Sequence, residues 1–189
     1  SGADESALSD QMFKANALMT DLRGSGVIED SAPLLKDTLF GVDQIKELVL
    51  GLKNFSRLDQ ARTSDANLND CLDQTLLIAG SVIKGKAEII KRYGQLPPVR
   101  CSPSQINQVL LNIITNGVQA IEHGEGKLLI KTEATPGWAH ISIQDNGKGI
   151  APQNLAKIFD PFFTTKAVGQ GTGLGLSISY QIIQTHGGS

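Results

Sequence analysis

The residues best suited to chemistry in this sequence are polar groups set beside glycines in its C-terminal half. Asp145 follows the alternating run His140, Ile141, Ser142, Ile143, Gln144, so its carboxylate stands where a strand gives way to a loop. A carboxylate there can accept a hydrogen bond from an exocyclic amine such as adenine N6. Gly147 and Gly149 come next, and without a Cβ they let the backbone turn tightly and approach a flat ring. Gly171, Gly173 and Gly175 interleave with the apolar run Leu174, Leu176 and Ile178, a glycine-rich loop feeding a helix N-terminus. Free N–H groups and the helix dipole favour phosphate at such a place. The spacing is neither the Walker pattern, since no Lys-Ser/Thr follows the glycines, nor GxGxxG after a strand. Upstream, Pro103 to Ile121 reads as a helix capped by Ser102 or Ser104, with Ile106, Val109, Leu110, Ile113, Ile114 and Val118 on its apolar face. Asn112 and Asn116 are four apart and project from one face, an oxygen-rich pair suited to a Mg²⁺ ion that also holds phosphates. Each cluster alone has a plainer reading: an ordinary loop, a flexible turn before a helix, two polar surface positions.

The four segments together are more specific. In this order NIITNGVQA (Asn112 to Ala120), DNGKG (from Asp145), FDPFF (from Phe159) and GTGLGL (Gly171 to Leu176) resemble the asparagine, first glycine, phenylalanine and second glycine boxes of sensor histidine kinases of two-component systems. That ATP-binding domain belongs to the wider group that includes Hsp90, DNA gyrase and MutL. The resemblance runs from about Asn67 to the end of the sequence. It implies an α+β fold: a helical hairpin followed by a Bergerat-type α/β sandwich with a mixed sheet. It implies ATP and Mg²⁺ as cofactors, with Asp145 on the adenine amine, Asn116 on the metal and Asn112 assisting at the phosphates. Phe159 and Phe162 would anchor a lid that Gly171 to Gly175 close over the triphosphate. Ile150, Thr165, Lys166, Thr172, Leu174 and Leu176 join Gly147, Gly149, Gly171, Gly173 and Gly175 as nucleotide-binding positions on the same grounds.

One position separates the relatives. ATP-hydrolysing members carry a Glu four residues before the magnesium-binding Asn, where this sequence has Asn112. An amide cannot act as a general base. The site should therefore hold ATP without hydrolysing it quickly, which suits transfer of the γ-phosphoryl group to a histidine and from there to an aspartate of a response regulator. The alternatives are a nucleotide-binding regulatory module without kinase activity and an ATPase of the gyrase and Hsp90 type, which Asn112 opposes.

The 189 residues allow one or two domains, and 40% hydrophobic against 19% charged residues predicts a packed core. A net charge of −2 gives no reason to propose nucleic acid or an anionic membrane as partner. Cys71 and Cys101 are read as free thiols in a reducing compartment. No apolar run reaches the roughly 18 residues of a membrane span, so a cytoplasmic location is expected, with an inner-membrane anchor left open for a parent protein.

The N-terminal third must supply the partner surface. Leu8, Met12, Ala15, Met19 and Leu22, between about Glu5 and Arg23, form a coiled-coil seam. After Gly24-Ser25-Gly26 a second helix, about Ala32 to Asp59, carries Leu35, Leu39, Val42, Ile45, Val49, Leu52 and Phe55. Two such helices predict an antiparallel hairpin that buries its remaining apolar stripe in a homodimeric four-helix bundle, the alternative being that it packs on its own globular domain. By resemblance this is the dimerisation and phosphoacceptor hairpin. Its first helix should carry a His but has none: the histidines are His123, His140 and His186, all expected in structural or solvated roles. The greater length of the second helix places the acceptor upstream of Ser1, the rival being a naturally degenerate kinase. The predicted organisation is a partial hairpin lacking the His at 1–60, a linker at 61–66 and the ATP-binding domain at 67–189. The family continues past Gly187-Gly188-Ser189 into two more strands, so one sheet edge is expected to lie open. Within the domain the pattern predicts helices at Leu68 to Ile83, Pro152 to Ile158 and Ser177 to Thr185, and strands at Lys86 to Tyr93, Lys127 to Glu133 and Trp138 to Gln144.

Overall fold

The computed structural model describes residues 2–24, 31, 33–39, 41–42, 45, 62–122, 124–167 and 171–189. Two units divide the chain, Ser1–Lys46 and Glu47–Ser189. In the first, α1 (Gly2–Gly24) is a 23-residue helix, and residues 33–39 are helical too. Of the predicted seam, Met12, Met19, Leu35 and Leu39 are each more than 60% exposed. Val49, Leu52 and Phe55 lie outside the described residues, as does His123.

The second unit is built on a sheet of three strands, β2 (Ala87–Tyr93), β4 (Gly126–Thr135) and β5 (Trp138–Asp145), in the order β2-β4-β5. β2 runs parallel to β4, and β4 antiparallel to β5 with Leu128 opposite Asp145, so the sheet is mixed. A separate antiparallel pair joins β1 (Ser64–Ala66) to β3 (Val99–Cys101). The order predicted from sequence holds, with three local differences. Part of the expected linker pairs as β1, because Val99–Cys101 offers it backbone partners that no side-chain pattern could announce. The helix expected from Leu68 to Ile83 divides into α2 (Leu68–Ile78) and α3 (Gly80–Ile83): Ala79 flattens to ψ −2°, and the poor helix former Gly80 follows. Residues Pro152–Lys157 close as a 3₁₀ helix.

β4 alternates strictly, with Gly126, Leu128, Ile130 and Thr132 buried and the residues between them more exposed. That buried face meets α4 (Pro103–Ala120), whose Ile106, Leu110, Ile114 and Val118 recur at helical spacing and are buried. Leu72, Ile114, Val118, Leu128 and Ile130 are wholly buried and form the centre of the core, each contributing about 1.5–3 kcal/mol by leaving water. A smaller cluster, Val109 with Leu174, Ile178 and Ile182, seats α5 (Gly175–Thr185) on the far flank of α4. Beside β5 lies a groove of about 690 Å³, lined among others by Val109, Ile113, Ile141 and Ile143. Among the described residues, no helix is long and apolar enough to cross a membrane.

Candidate nucleotide-binding site

α4 is the spine of the site, and three successive stretches of the chain close on its second half. The Asn112 Nδ2 group donates to the Gly175 carbonyl oxygen (3.2 Å) and to Ser179 Oγ (3.3 Å), tying α4 to the first turn of α5. One turn on, Asn116 Oδ1 accepts from the Lys166 ammonium at 3.1 Å. The same ammonium donates to Gln119 Oε1 at 2.5 Å. The two asparagines expected as one oxygen pair are thus engaged separately: Asn112 spends its donor on a helix contact, while Asn116 presents its oxygen to a cation. Gln119 was not singled out from sequence, because a lone glutamine at a helix end carries no signal.

The strand-end loop is held by close backbone approach. Asp145 Oδ1 accepts from the Gly147 N–H at 2.9 Å, and Oδ2 faces Gly117 on α4. A Cβ on Gly117 would come 2.9 Å from Leu128 Cδ1 and into ordinary contact, 3.6 Å, with Asp145 Oδ2, so the bare glycine makes room for Leu128 where the helix meets the sheet. Gly117 was missed in the sequence, hidden inside an ordinary helical pattern. Gly147 lies on Ala120, where an added Cβ would fall 2.6 Å from its carbonyl oxygen, and the Lys148 N–H donates to that carbonyl at 3.0 Å. Asn146 locks the loop to the start of β4, accepting from the Lys127 N–H (2.7 Å) and donating to the Glu125 carbonyl (2.9 Å). Gly149 takes φ +71°, and Ile150 beyond it is exposed.

The segment between the 3₁₀ helix and α5 is tied at its neck. The Phe159 ring packs on Tyr180 of α5, centroids 5.1 Å apart. Phe162 adopts φ +67° and its N–H donates to the Gly173 carbonyl at 3.0 Å. Gly173 also sits at φ +67°, with its Cβ position only 2.3 Å from the Phe162 carbonyl carbon. Leu174 is buried, anchoring the C-terminal side of the neck, and its N–H reaches Thr172 Oγ1 at 3.4 Å. The Phe162 side chain is exposed, and between these anchors so are Thr165 and Lys166, Lys166 lying under Gly171 with Cδ 3.1 Å from that glycine's Cβ position. Although the Lys166 side chain as a whole is exposed, partial desolvation of its ammonium, and secondly the charge of Lys148, lower its pKa from the ordinary value. α5 begins at Gly175 with no side-chain cap and no acidic residue in its first turn, which leaves N–H groups and the positive end of the dipole available to an anion. Leu176 is half-buried.

The described histidines serve structure. His140 on β5 pairs with Thr135 Oγ1 at 2.8 Å. His186 Nε2 accepts the Ser102 N–H at 3.0 Å, which requires the neutral ring to carry its proton on Nδ1, within 2.7 Å of the Ile182 carbonyl. Ser102 stands at the start of α4 as expected, but its hydroxyl meets Ser104 Oγ (3.1 Å) instead of capping the helix.

A divalent cation fits this chemistry in one respect only. Among the described residues no group of three or more His, Cys, Asp or Glu could cage a metal. The amide oxygens of Asn116 and Gln119, in the last turns of α4, do converge on a cationic group, where the negative end of the helix dipole favours one. Such a site suits a magnesium ion whose other ligands come from phosphate and water.

Comparison with known proteins agrees with this geometry. The family described as histidine kinase-, DNA gyrase B-, and HSP90-like ATPase matches residues 101–189. The signal transduction histidine-protein kinase AtoS of Escherichia coli (strain K12) is 39% identical over 150 residues, covering 78% of this chain and 24% of its own length. The chain therefore spans about a quarter of that relative. The catalytic domain of the histidine kinase ThkA superposes with a TM-score of 0.58 at 31% identity, covering 66% of this chain and 82% of that one. ThkA solved in complex with the response regulator protein TrrA gives a TM-score of 0.61 at 25% identity, over 78% of this chain and 43% of that one. The four boxes, the mixed sheet under α4 and these relatives agree: the chain belongs to the histidine kinase family and carries its ATPase-type domain.

Proposed function

We propose that this chain binds Mg-ATP and serves as the catalytic module of a two-component sensor histidine kinase. One observation carries the reading: Asp145, Lys166 and Gly175, from three separate stretches of the chain, meet α4 at Gly117, Asn116 and Asn112. Asp145 accepts the adenine amine through the oxygen that its bond to Gly147 leaves open. Gly147 and Gly149 bring backbone against the ring. The uncapped start of α5 binds the phosphates, and Phe159, Phe162, Thr165, Lys166, Thr172, Leu174 and Leu176 frame them. Asn116 would hold Mg²⁺ together with phosphate oxygens, and the ion would neutralise charge on the β- and γ-phosphates. Asn112 supplies no base, so water is not activated and the γ-phosphoryl group waits for a better acceptor.

The acceptor is a histidine outside this sequence, on the helical hairpin to which residues 1–60 contribute; 61–66 connect it to the ATP-binding domain at 67–189. The hairpins pair two copies as a homodimer, and a response regulator receiver domain takes the phosphoryl group onward. In-line geometry forbids self-labelling, since α1 carries no histidine and transfer depends on the acceptor's placement.

The test is incubation with γ-labelled ATP, alone and with a separate hairpin bearing the histidine. Label should appear only on the added hairpin, acid-labile, and Asn116→Ala should abolish it. Acid-labile label on the chain alone would overturn the placement of the acceptor. ATP binding without label in either mixture would favour a non-catalytic regulatory module, and fast steady-state hydrolysis would favour an ATPase.

A further inference from the structure

The Lys166 ammonium stands on the one oxygen that the proposed function gives to the metal. It lies 3.1 Å from Asn116 Oδ1 and is shared with Gln119 Oε1. α4 supplies no basic residue to its own last turn, so the cation at its negative end is brought by a different element. The lysine is also built into place. Its own N–H donates to Thr164 Oγ1 at 3.1 Å, and its Cδ and Cβ lie 3.1 and 3.6 Å from the Cβ position of Gly171, so the absence of a side chain there leaves room for the stem. The nearby Lys148 ammonium is engaged separately by Glu122 Oε1 at 2.6 Å.

A magnesium ion would need Asn116 Oδ1 at about 2.1 Å, with an octahedral shell completed by water and phosphate. That shell would compete for the position of the ammonium on Asn116 Oδ1, and two cations on one amide oxygen repel each other. We propose that Lys166 is an internal cation that caps the metal-binding oxygen, so that metal entry and Lys166 release are one linked event. The inference rests on the nucleotide-binding reading and adds to it a competitor for the metal. Linkage makes the effect reciprocal: whatever holds Lys166 on Asn116 weakens metal-dependent nucleotide binding, and metal binding frees a long flexible cation beside the phosphates.

The experiment is calorimetric titration of the whole chain with ADP, in excess Mg²⁺ and in EDTA, for wild type, Lys166→Met and Lys166→Arg. Loss of any attraction between Lys166 and phosphate lowers both arms, whereas only the magnesium arm gains a freed oxygen. The ratio of affinities with and without magnesium isolates the competition. It should rise at least about fivefold in Lys166→Met, the lower end of ordinary coupling between sites. Lys166→Arg keeps the charge and the donors, so its ratio should stay near that of wild type. An unchanged or smaller ratio in Lys166→Met, with wild type binding ADP, overturns the cap and leaves the nucleotide reading intact. No ADP binding by wild type in either buffer overturns both.

Discussion

Two loops border the same helix and are built on opposite principles. The loop after β5 is clamped by backbone: Gly147 lies against Ala120, Lys148 donates to the Ala120 carbonyl, and Asn146 bonds Lys127 and Glu125. The segment from Phe159 to Gly175 is fixed at its ends, by the Phe159–Tyr180 contact, the Phe162–Gly173 bond and buried Leu174. Between those ends, the described bonds to α4 are made by one side chain, Lys166. On the proposed reading, the base-recognising end is preformed and the phosphate end is left to be shaped by what binds there.

The largest expected effect is on exchange. The Lys148 amide, bonded to helix backbone, should exchange on the order of a thousandfold more slowly than the Lys166 amide, bonded only to an exposed threonine hydroxyl. Adding ADP should narrow the gap by slowing Lys166. Amide exchange followed by NMR decides this, and equal rates without ligand would erase the distinction between the loops.

Asp145→Asn should come next. The variant keeps an oxygen for the Gly147 N–H but turns an NH₂ toward the adenine amine, so ADP affinity should fall at least about tenfold, the loss expected of a hydrogen bond to a charged group. Thermal unfolding should barely move. Unchanged affinity would remove Asp145 from the site.

Paired glycine substitutions sharpen the contrast. Gly147→Ala drives a methyl into the backbone of α4 and should lower stability by about 1–3 kcal/mol. Gly173→Ala meets a backbone closer still, 2.3 Å at the Phe162 carbonyl carbon, and must hold φ +67°, which strains an alanine. Its stability loss should be at least as large, with ADP affinity falling as well. Denaturant unfolding and titration of both variants check this, and a smaller stability loss in Gly173→Ala than in Gly147→Ala would show that the neck gives way.

The smallest effect belongs to a surface pair remote from both loops. Lys91, by its 2.7 Å bond, holds the Asp73 carboxyl below its ordinary range, and the Tyr93 hydroxyl adds a second bond at 3.1 Å. A depressed carboxylate contributes stability above its unfolded pKa and loses it as pH falls through the folded value. Asp73→Asn should therefore flatten the acid limb of unfolding slightly while costing well under about 1 kcal/mol at neutral pH, since the pair is exposed.

What sequence could and could not reveal follows the same division. Glycine boxes, the alternation of β4 and the apolar spacing of α4 are local patterns, and the elements formed where those patterns predicted them. The clamps are not local. Gly117 under Asp145, Gln119 beside Lys166 and Asn112 on the Gly175 carbonyl join residues far apart in the chain through contacts that no short window contains. The three-residue strand β1 is set by a distant partner, and the break at Ala79 by one weak helix former among many good ones.

The neck formed by Phe162 and Gly173 has a consequence in polymer terms. Both residues take left-handed backbone, which for a phenylalanine costs on the order of 1 kcal/mol or more and persists only where the surroundings impose it. The chain between them is therefore a closed loop whose ends are fixed independently of its contour. Doubling the length of such a loop raises its closure entropy by only about 0.6 kcal/mol. Residues inserted between Lys166 and Gly171 would leave the neck and the seating of α5 almost untouched, so the length of this loop is a nearly free variable while its two ends are not.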